Sequence, residues 1–151
     1  MDKLERIIFV ARSGSIREPM AMGILNDLSL KSDVEVLARG LVVSFPEPMN
    51  GKAEAVLISN GITLREFTSK PLKNEEITEQ TLILTMDKGQ REKVLSHYEN
   101  ASPERVHVLT DFVGDELEII DPYGGSLQSY GLCYETLRKS IKKLVKILNE
   151  E

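Results

Sequence analysis

The chain has 151 residues, with 19 Lys and Arg against 24 Asp and Glu, a net charge of −5 at neutral pH. That length suits one domain with a sizeable core, and the mildly negative charge argues against a general nucleic-acid binder. No apolar run approaches the ~20 residues that a bilayer span needs, and the N-terminal "MDKLERIIFV" lacks the apolar segment and small-residue cleavage site of a signal peptide, so the expected place is the cytoplasm, with no membrane partner.

"RIIFVA" (6–11) is a short and nearly continuous apolar run, the pattern of a strand buried on both faces. "EPMAMGILNDLSL" (18–30) follows as a helix, with Pro19 in its first turn, where proline is tolerated. "VEVLA" (34–38) reads as a second strand, and "GLVVSFPEPMNG" (40–51) as a long Pro- and Gly-containing loop of the kind that is often functional. "GKAEAVLISNG" (51–61) reads as a helix closed by Gly61. "TLILTM" (81–86) is a third strand, "KGQREKVLSHYE" (88–99) a helix and "RVHVLT" (105–110) a fourth strand. The last segment, "SLQSYGLCYETLRKSIKKLVKILNE" (126–150), is a long amphipathic helix in which Leu137, Ile141, Leu144, Val145 and Leu148 recur at helical spacing. Strands alternating with helices imply an α/β domain over 1–151, a parallel sheet with helices on both faces.

The single cysteine, Cys133, excludes an internal disulfide. His97 and His107 lie apart with no Cys/His spacing, so no metal site and no cofactor is expected.

One stretch carries chemistry. "FVARSGSIREPMA" runs from the first strand through a polar loop into the first helix. In an open parallel sheet, ligands gather outside the carboxyl ends of the strands. A loop that also opens a helix offers outward N–H groups and the positive end of the helix dipole, a seat for an anion. Arg17 adds a planar guanidinium that suits phosphate oxygens. The plainer alternative is a surface arginine paired with Glu18 or a loop carbonyl. Ser13 and Ser15 could donate hydroxyls to a bound anion, but no histidine or lysine in the motif would activate them as nucleophiles.

The same stretch resembles the phosphate loop of the low-molecular-weight protein tyrosine phosphatases, in which a strand is followed by a cysteine, five residues, an arginine, a serine or threonine, and usually a proline. Ala11, Arg17, Glu18 and Pro19 fall on those places without a gap. "LARG" (37–40), "PMNGKAEAVLISNGI" (48–62), "LILTMD" (82–87) and "DPYGG" (121–125) are similar to further family segments in the same order, and cover essentially the whole chain. The resemblance implies a four-stranded parallel sheet of order 2-1-3-4 in a flavodoxin-like three-layer fold. It implies that Arg12, Ser13, Gly14, Ser15, Ile16 and Arg17 form the ligand loop, that Asp121 stands at the general acid, and that Tyr123 and Phe45 wall in an aromatic ring. The implied partner is phosphate or a phosphotyrosine-like anion, carried on a protein partner.

Three positions depart from the pattern. Ala11 stands where the family has its nucleophile, and a methyl group cannot replace a thiolate. Glu18 stands at the hydroxyl residue, where its charge would repel a phosphate unless it turns outward or pairs with Arg12 or Arg17. Ser13-Gly14 replaces a Gly-Asn pair whose asparagine braces the loop. A phosphatase trapped by engineering would differ at the cysteine alone, so three differences favour natural loss of activity: a pseudophosphatase that still binds an anion. The alternatives are an engineered, otherwise working phosphatase, and an interaction domain with a vestigial cleft. Cys133, far along in the last helix, is expected to be a small core residue. Asp121 on its own would read as a turn residue before Pro122.

Overall fold

The computed structural model describes residues 3–150. Chain order is β1 (Arg6–Ala11), α1 (Arg17–Leu28), β2 (Glu35–Gly40), α2 (Gly51–Ser59), a single 3₁₀ turn (Asn74–Glu76), β3 (Thr81–Thr85), α3 (Lys88–His97), β4 (Val106–Val108), α4 (Leu109–Val113) and α5 (Leu127–Asn149). The strands form one parallel sheet of order β2-β1-β3-β4. The expected topology is the observed one.

Side chains alternate across a strand, and β1 uses both faces. Ile7, Phe9 and Ala11 join the larger core under α1, α2 and α5, whereas Ile8 and Val10 join a smaller one with Val94 of α3. In β3, Leu82 and Leu84 point to the first core and Ile83 to the second. This is why both strands read as unbroken apolar runs. The α5 stripe packs as its spacing predicts: Leu137, Ile141 and Leu144 are fully buried, with Val145 and Leu148 at the margin.

Several boundaries differ from the sequence reading. The first helix begins at Arg17, so the loop arginine is its first residue, and it ends at Leu28. The second strand extends to Gly40, which pairs with Ala11. Gly61 sits just past α2 in the left-handed region at φ +78°, its N–H bonded to Ile58 O and that of Ile62 to Leu57 O, so it closes the helix as expected. The fourth strand is only three residues long. Its apolar run continues into α4, stopped by the left-handed Gly114, a change too short for periodicity to reveal.

Candidate functional site

The loop between β1 and α1 emerges at the carboxyl ends of β1 and β2. Leu41 N donates to Ala11 O (2.9 Å), Val42 N to Arg12 O (2.8 Å) and Asn50 N to Ser15 O (2.9 Å). The carbonyls of the loop are thus tied outward to the segment after β2. That close approach requires Gly40, because a Cβ there would lie 2.6 Å from Gly14 N. Gly14 itself has φ +79°, a conformation that L side chains rarely adopt. The asparagine that braces the loop in the family pattern is absent from this position, so another side chain must hold the Gly14 amide.

Glu18 is that brace. Of the two expected reliefs, its side chain does not take the outward turn: it points inward and is 1% exposed. Gly14 N donates to Glu18 Oε2 at 2.5 Å, and the N–H groups of Glu18 and Ile16 also act on the carboxylate. Burial pushes its acid up to about 7, against the opposing pull of those N–H groups and of the Arg17 charge. A second amide is also engaged: Ser15 N donates to Ser13 Oγ (3.3 Å), which shares a hydrogen bond with Ser15 Oγ (3.1 Å). Two of the amides expected to face a ligand therefore carry side-chain partners from the chain itself. Arg12 lies exposed, Ser13 is half-buried, and Ser15 and Ile16 are buried.

Arg17 is buried, 4% exposed, so it is no surface arginine, although it does bond a loop carbonyl as the plainer alternative expects. Its Nη1 donates to Ile119 O at 2.7 Å, and its Nη2 lies 3.7 Å from Asp121 Oδ2. Arginine has five N–H donors, and the bond to Ile119 is its one hydrogen bond among the described residues. Ile119 is held in turn by its own N–H to Met86 O (3.3 Å), at the end of β3. Glu118 Oε2 accepts from Lys88 N (2.8 Å), and Asp115 accepts from Ser140 and Lys143 of α5. The segment before Asp121 is thereby clamped across the carboxyl end of the sheet.

Asp121 also accepts from Tyr123 N (3.1 Å), while Gly125 N donates to Pro122 O (2.8 Å). Asp121 therefore forms the expected turn, and its carboxylate also lies near the loop arginine. Tyr123 and Phe45 are 76% and 65% exposed. They stand free of the core, as do the exposed Val42 and Ile120.

The methyl of Ala11 is buried and belongs to the core. Cys133 is a core residue as expected, yet its setting is closer to the site than its sequence position suggests. Burial pushes its thiol up to about 12, and the charges of Arg17, Asp121 and Glu18 act on it. It stays protonated and supplies no thiolate. The residues that sequence reasoning misses are Glu18 as brace and Ile119 as holder of the arginine. The first has a faint signal in a glycine four residues ahead of a helix-opening carboxylate. The second has none, because Ile119 lies 102 residues from Arg17.

The model of the family described as low molecular weight phosphotyrosine protein phosphatase matches residues 6–151. A protein-arginine-phosphatase of Geobacillus stearothermophilus is 30% identical over 147 residues, 97% of each chain. The low molecular weight protein-tyrosine-phosphatase PtpB of Staphylococcus haemolyticus is 28% identical over 143 residues, 92% of this chain and 96% of that one. The crystal structure of a low molecular weight protein tyrosine phosphatase from T. tengcongensis superposes with a TM-score of 0.89 at 31% identity, covering 95% of this chain and 99% of that one. Fold, loop and full-length match agree: the chain belongs to the low molecular weight phosphotyrosine protein phosphatase family.

Proposed function

We propose that this chain is a catalytically silent member of its family, a single-domain cytoplasmic protein that binds a phosphoryl group on a small molecule or a partner protein without hydrolysing it. The observation that carries this reading is the buried methyl of Ala11 at the nucleophile position, with Arg17 and Asp121 still facing each other across the loop. Removing a covalent nucleophile lowers turnover on the order of 10⁶-fold, and neither the protonated Cys133 nor the unactivated Ser13 and Ser15 replaces it. Arg17 with the loop N–H groups would hold the oxyanion, and Tyr123 and Phe45 would flank the group that carries it. The relatives include both tyrosine and arginine phosphatases, so phosphotyrosine and phosphoarginine are the two side chains to offer.

The test pairs turnover with binding. The expected result is no hydrolysis of p-nitrophenyl phosphate or phosphoarginine above background, together with millimolar or tighter binding of phosphate that Arg17→Ala removes. Hydrolysis that Arg17→Ala abolishes would overturn the silent reading. The inward Glu18 favours a second reading, an interaction domain whose old cleft is filled by its own carboxylate. That reading expects no binding of phosphate, phosphotyrosine peptide or phosphoarginine at any pH. The engineered-phosphatase alternative expects Ala11→Cys alone to restore full turnover.

A further inference from the structure

Among the positions that depart from the family pattern, Glu18 is the one that adds a charge to the loop. A carboxylate replaces a hydroxyl, it is buried, and it lies against the N–H groups of a loop built to hold an anion. We infer that Glu18 is the resident occupant of this loop, and that the loop admits an external oxyanion only as Glu18 takes up a proton. This rests on the reading of the loop as a phosphoryl site and states the condition under which that site is available.

The argument is one of competing charges. An ionised Glu18 and an incoming oxyanion would claim the same N–H groups, and two like charges in one buried site cannot both stay ionised at low cost. A neutral carboxyl is a weaker acceptor for Gly14 N–H and gains an O–H that can donate to an oxyanion oxygen. Burial prepares Glu18 for this role, since its acid lies at about 7 before any ligand arrives. No covalent step is involved; one proton moves from solvent to the carboxylate as the anion enters.

The surrounding charges are few. Arg17, on the same helix, is the charged group that acts on Glu18 and favours its ionised form. From the segment before α5, Asp121 faces Arg17, and from α5 the thiol of Cys133 feels Glu18. On β2, Arg39 is turned to Glu76 (2.8 Å). On α2, Lys52 Nζ donates to Gly125 O (2.7 Å). β1 presents Ala11 at its end, and Tyr134 of α5 lies farther along α1, where Asp27 acts on it. Within this cluster, burial holds the acid of Glu18 at about 7.

The coupling must be reciprocal: the anion raises the proton affinity of Glu18 by the factor by which the proton raises anion affinity. Sulfate is a suitable probe because its own charge is constant over the range used. Calorimetric titration of the full chain with sulfate from pH 6 to 9, in buffers of different ionisation enthalpy, reads affinity and proton uptake together. The wild type should lose about tenfold in affinity per pH unit above 7 and take up close to one proton per sulfate at pH 8. Glu18→Gln and Glu18→Ala should bind with a flat profile and no uptake at the Glu18 site, and more tightly than wild type at pH 8. Two variants are used because the amide introduced by Glu18→Gln could keep the Gly14 contact, whereas Glu18→Ala removes it. Circular dichroism establishes that each is folded. The two histidines are common to all three proteins and cancel in the comparison. A flat wild-type profile, or a slope that persists in both variants, would overturn the inference while leaving the anion site standing. Absence of sulfate binding by the wild type and both folded variants would instead remove the phosphoryl-site reading itself.

Discussion

One wall of the candidate site is the loop 11–18; the other is the segment 119–125, which Arg17 joins to it through Ile119 and Asp121. The first wall is buried and cross-tied. Its carbonyls are bound by Leu41, Val42 and Asn50, its Gly14 and Ser15 amides are taken by Glu18 and Ser13, and Arg17 and Glu18 are almost wholly shielded. The second wall is open: Asp121 is 37% exposed and Tyr123 76%. Their sequences changed in the opposite sense. Against the family pattern that the sequence resembles, the buried wall departs at Ala11, Gly14 and Glu18, whereas the open wall matches it at Asp121, Pro122 and Tyr123. A phosphate loop is shaped by backbone hydrogen bonds and by glycines at Gly14 and Gly40, none of which needs the reactive atom. Its geometry can therefore outlast its chemistry, provided that something holds the amides. Glu18 does so, at the expense of a charge buried in the site.

The strongest way to break this comparison is to return the chemistry to the buried wall. Ala11→Cys alone should leave p-nitrophenyl phosphate turnover within about tenfold of background, because a carboxylate in the loop opposes both the thiolate and the substrate. Ala11→Cys combined with Glu18→Ser should raise kcat/KM by roughly 10³-fold or more over the parent, as restored nucleophiles do. Full turnover from the single change would mean that Glu18 is no obstacle and that the two walls differ by one atom.

The next effect concerns stability. The acid of Glu18 lies near 7 in the folded chain, raised by burial from 4.5. Its contribution to stability is fully present below pH 4.5, where folded and unfolded chains are both protonated. It declines as pH rises, because the unfolded chain ionises first, and is gone above about 7. Urea denaturation should therefore show Glu18→Gln gaining on the wild type by about 3 kcal/mol between pH 4.5 and 7.5. A constant difference across that window would place the carboxylate in water, with the open wall rather than the buried one.

How far such statements can be read from sequence depends on how local their causes are. The strands β1 and β3 are legible because burial on both faces leaves an unbroken apolar run, and α5 is legible because its stripe repeats along a helix of 23 residues. The stretch 62–80 is not, since its order comes from isolated bridges, Pro48 with Thr68 and Gly40 with Pro71, between distant residues. The location of the proposed site follows from topology, and Arg17 and Asp121 as its proposed residues follow from the resemblance. The direction of Glu18 does not, because it depends on a positive φ at Gly14 that turns one N–H toward it. Ile119 is silent for the same reason: it acts through a carbonyl, which every residue has.

Within the buried wall, Arg17→Ala should cost about 2 kcal/mol at neutral pH, since it removes a charge-assisted hydrogen bond to the buried carbonyl of Ile119. It should also push the acid of Glu18 further up by deleting its positive neighbour. Repeating the urea series in this background checks both: the pH-dependent decline should extend to higher pH than in the wild type. An unchanged midpoint would mean that the guanidinium is not coupled to the carboxylate.

The smallest stability effect belongs to the open wall. The Tyr123 ring is 76% exposed, so Tyr123→Ala removes little buried area and should change stability by less than about 0.5 kcal/mol. Its N–H bond to Asp121 is a backbone bond and survives the substitution. If the ring's role is to flank the group that carries the phosphoryl, the variant should bind phosphotyrosine several-fold more weakly and inorganic phosphate equally well. That split isolates the contribution of the open wall, because the buried wall meets the same anion in both ligands. An equal loss for both would mean that Tyr123 acts through the loop, and the distinction between a wall that holds the anion and a wall that reads its carrier would fail.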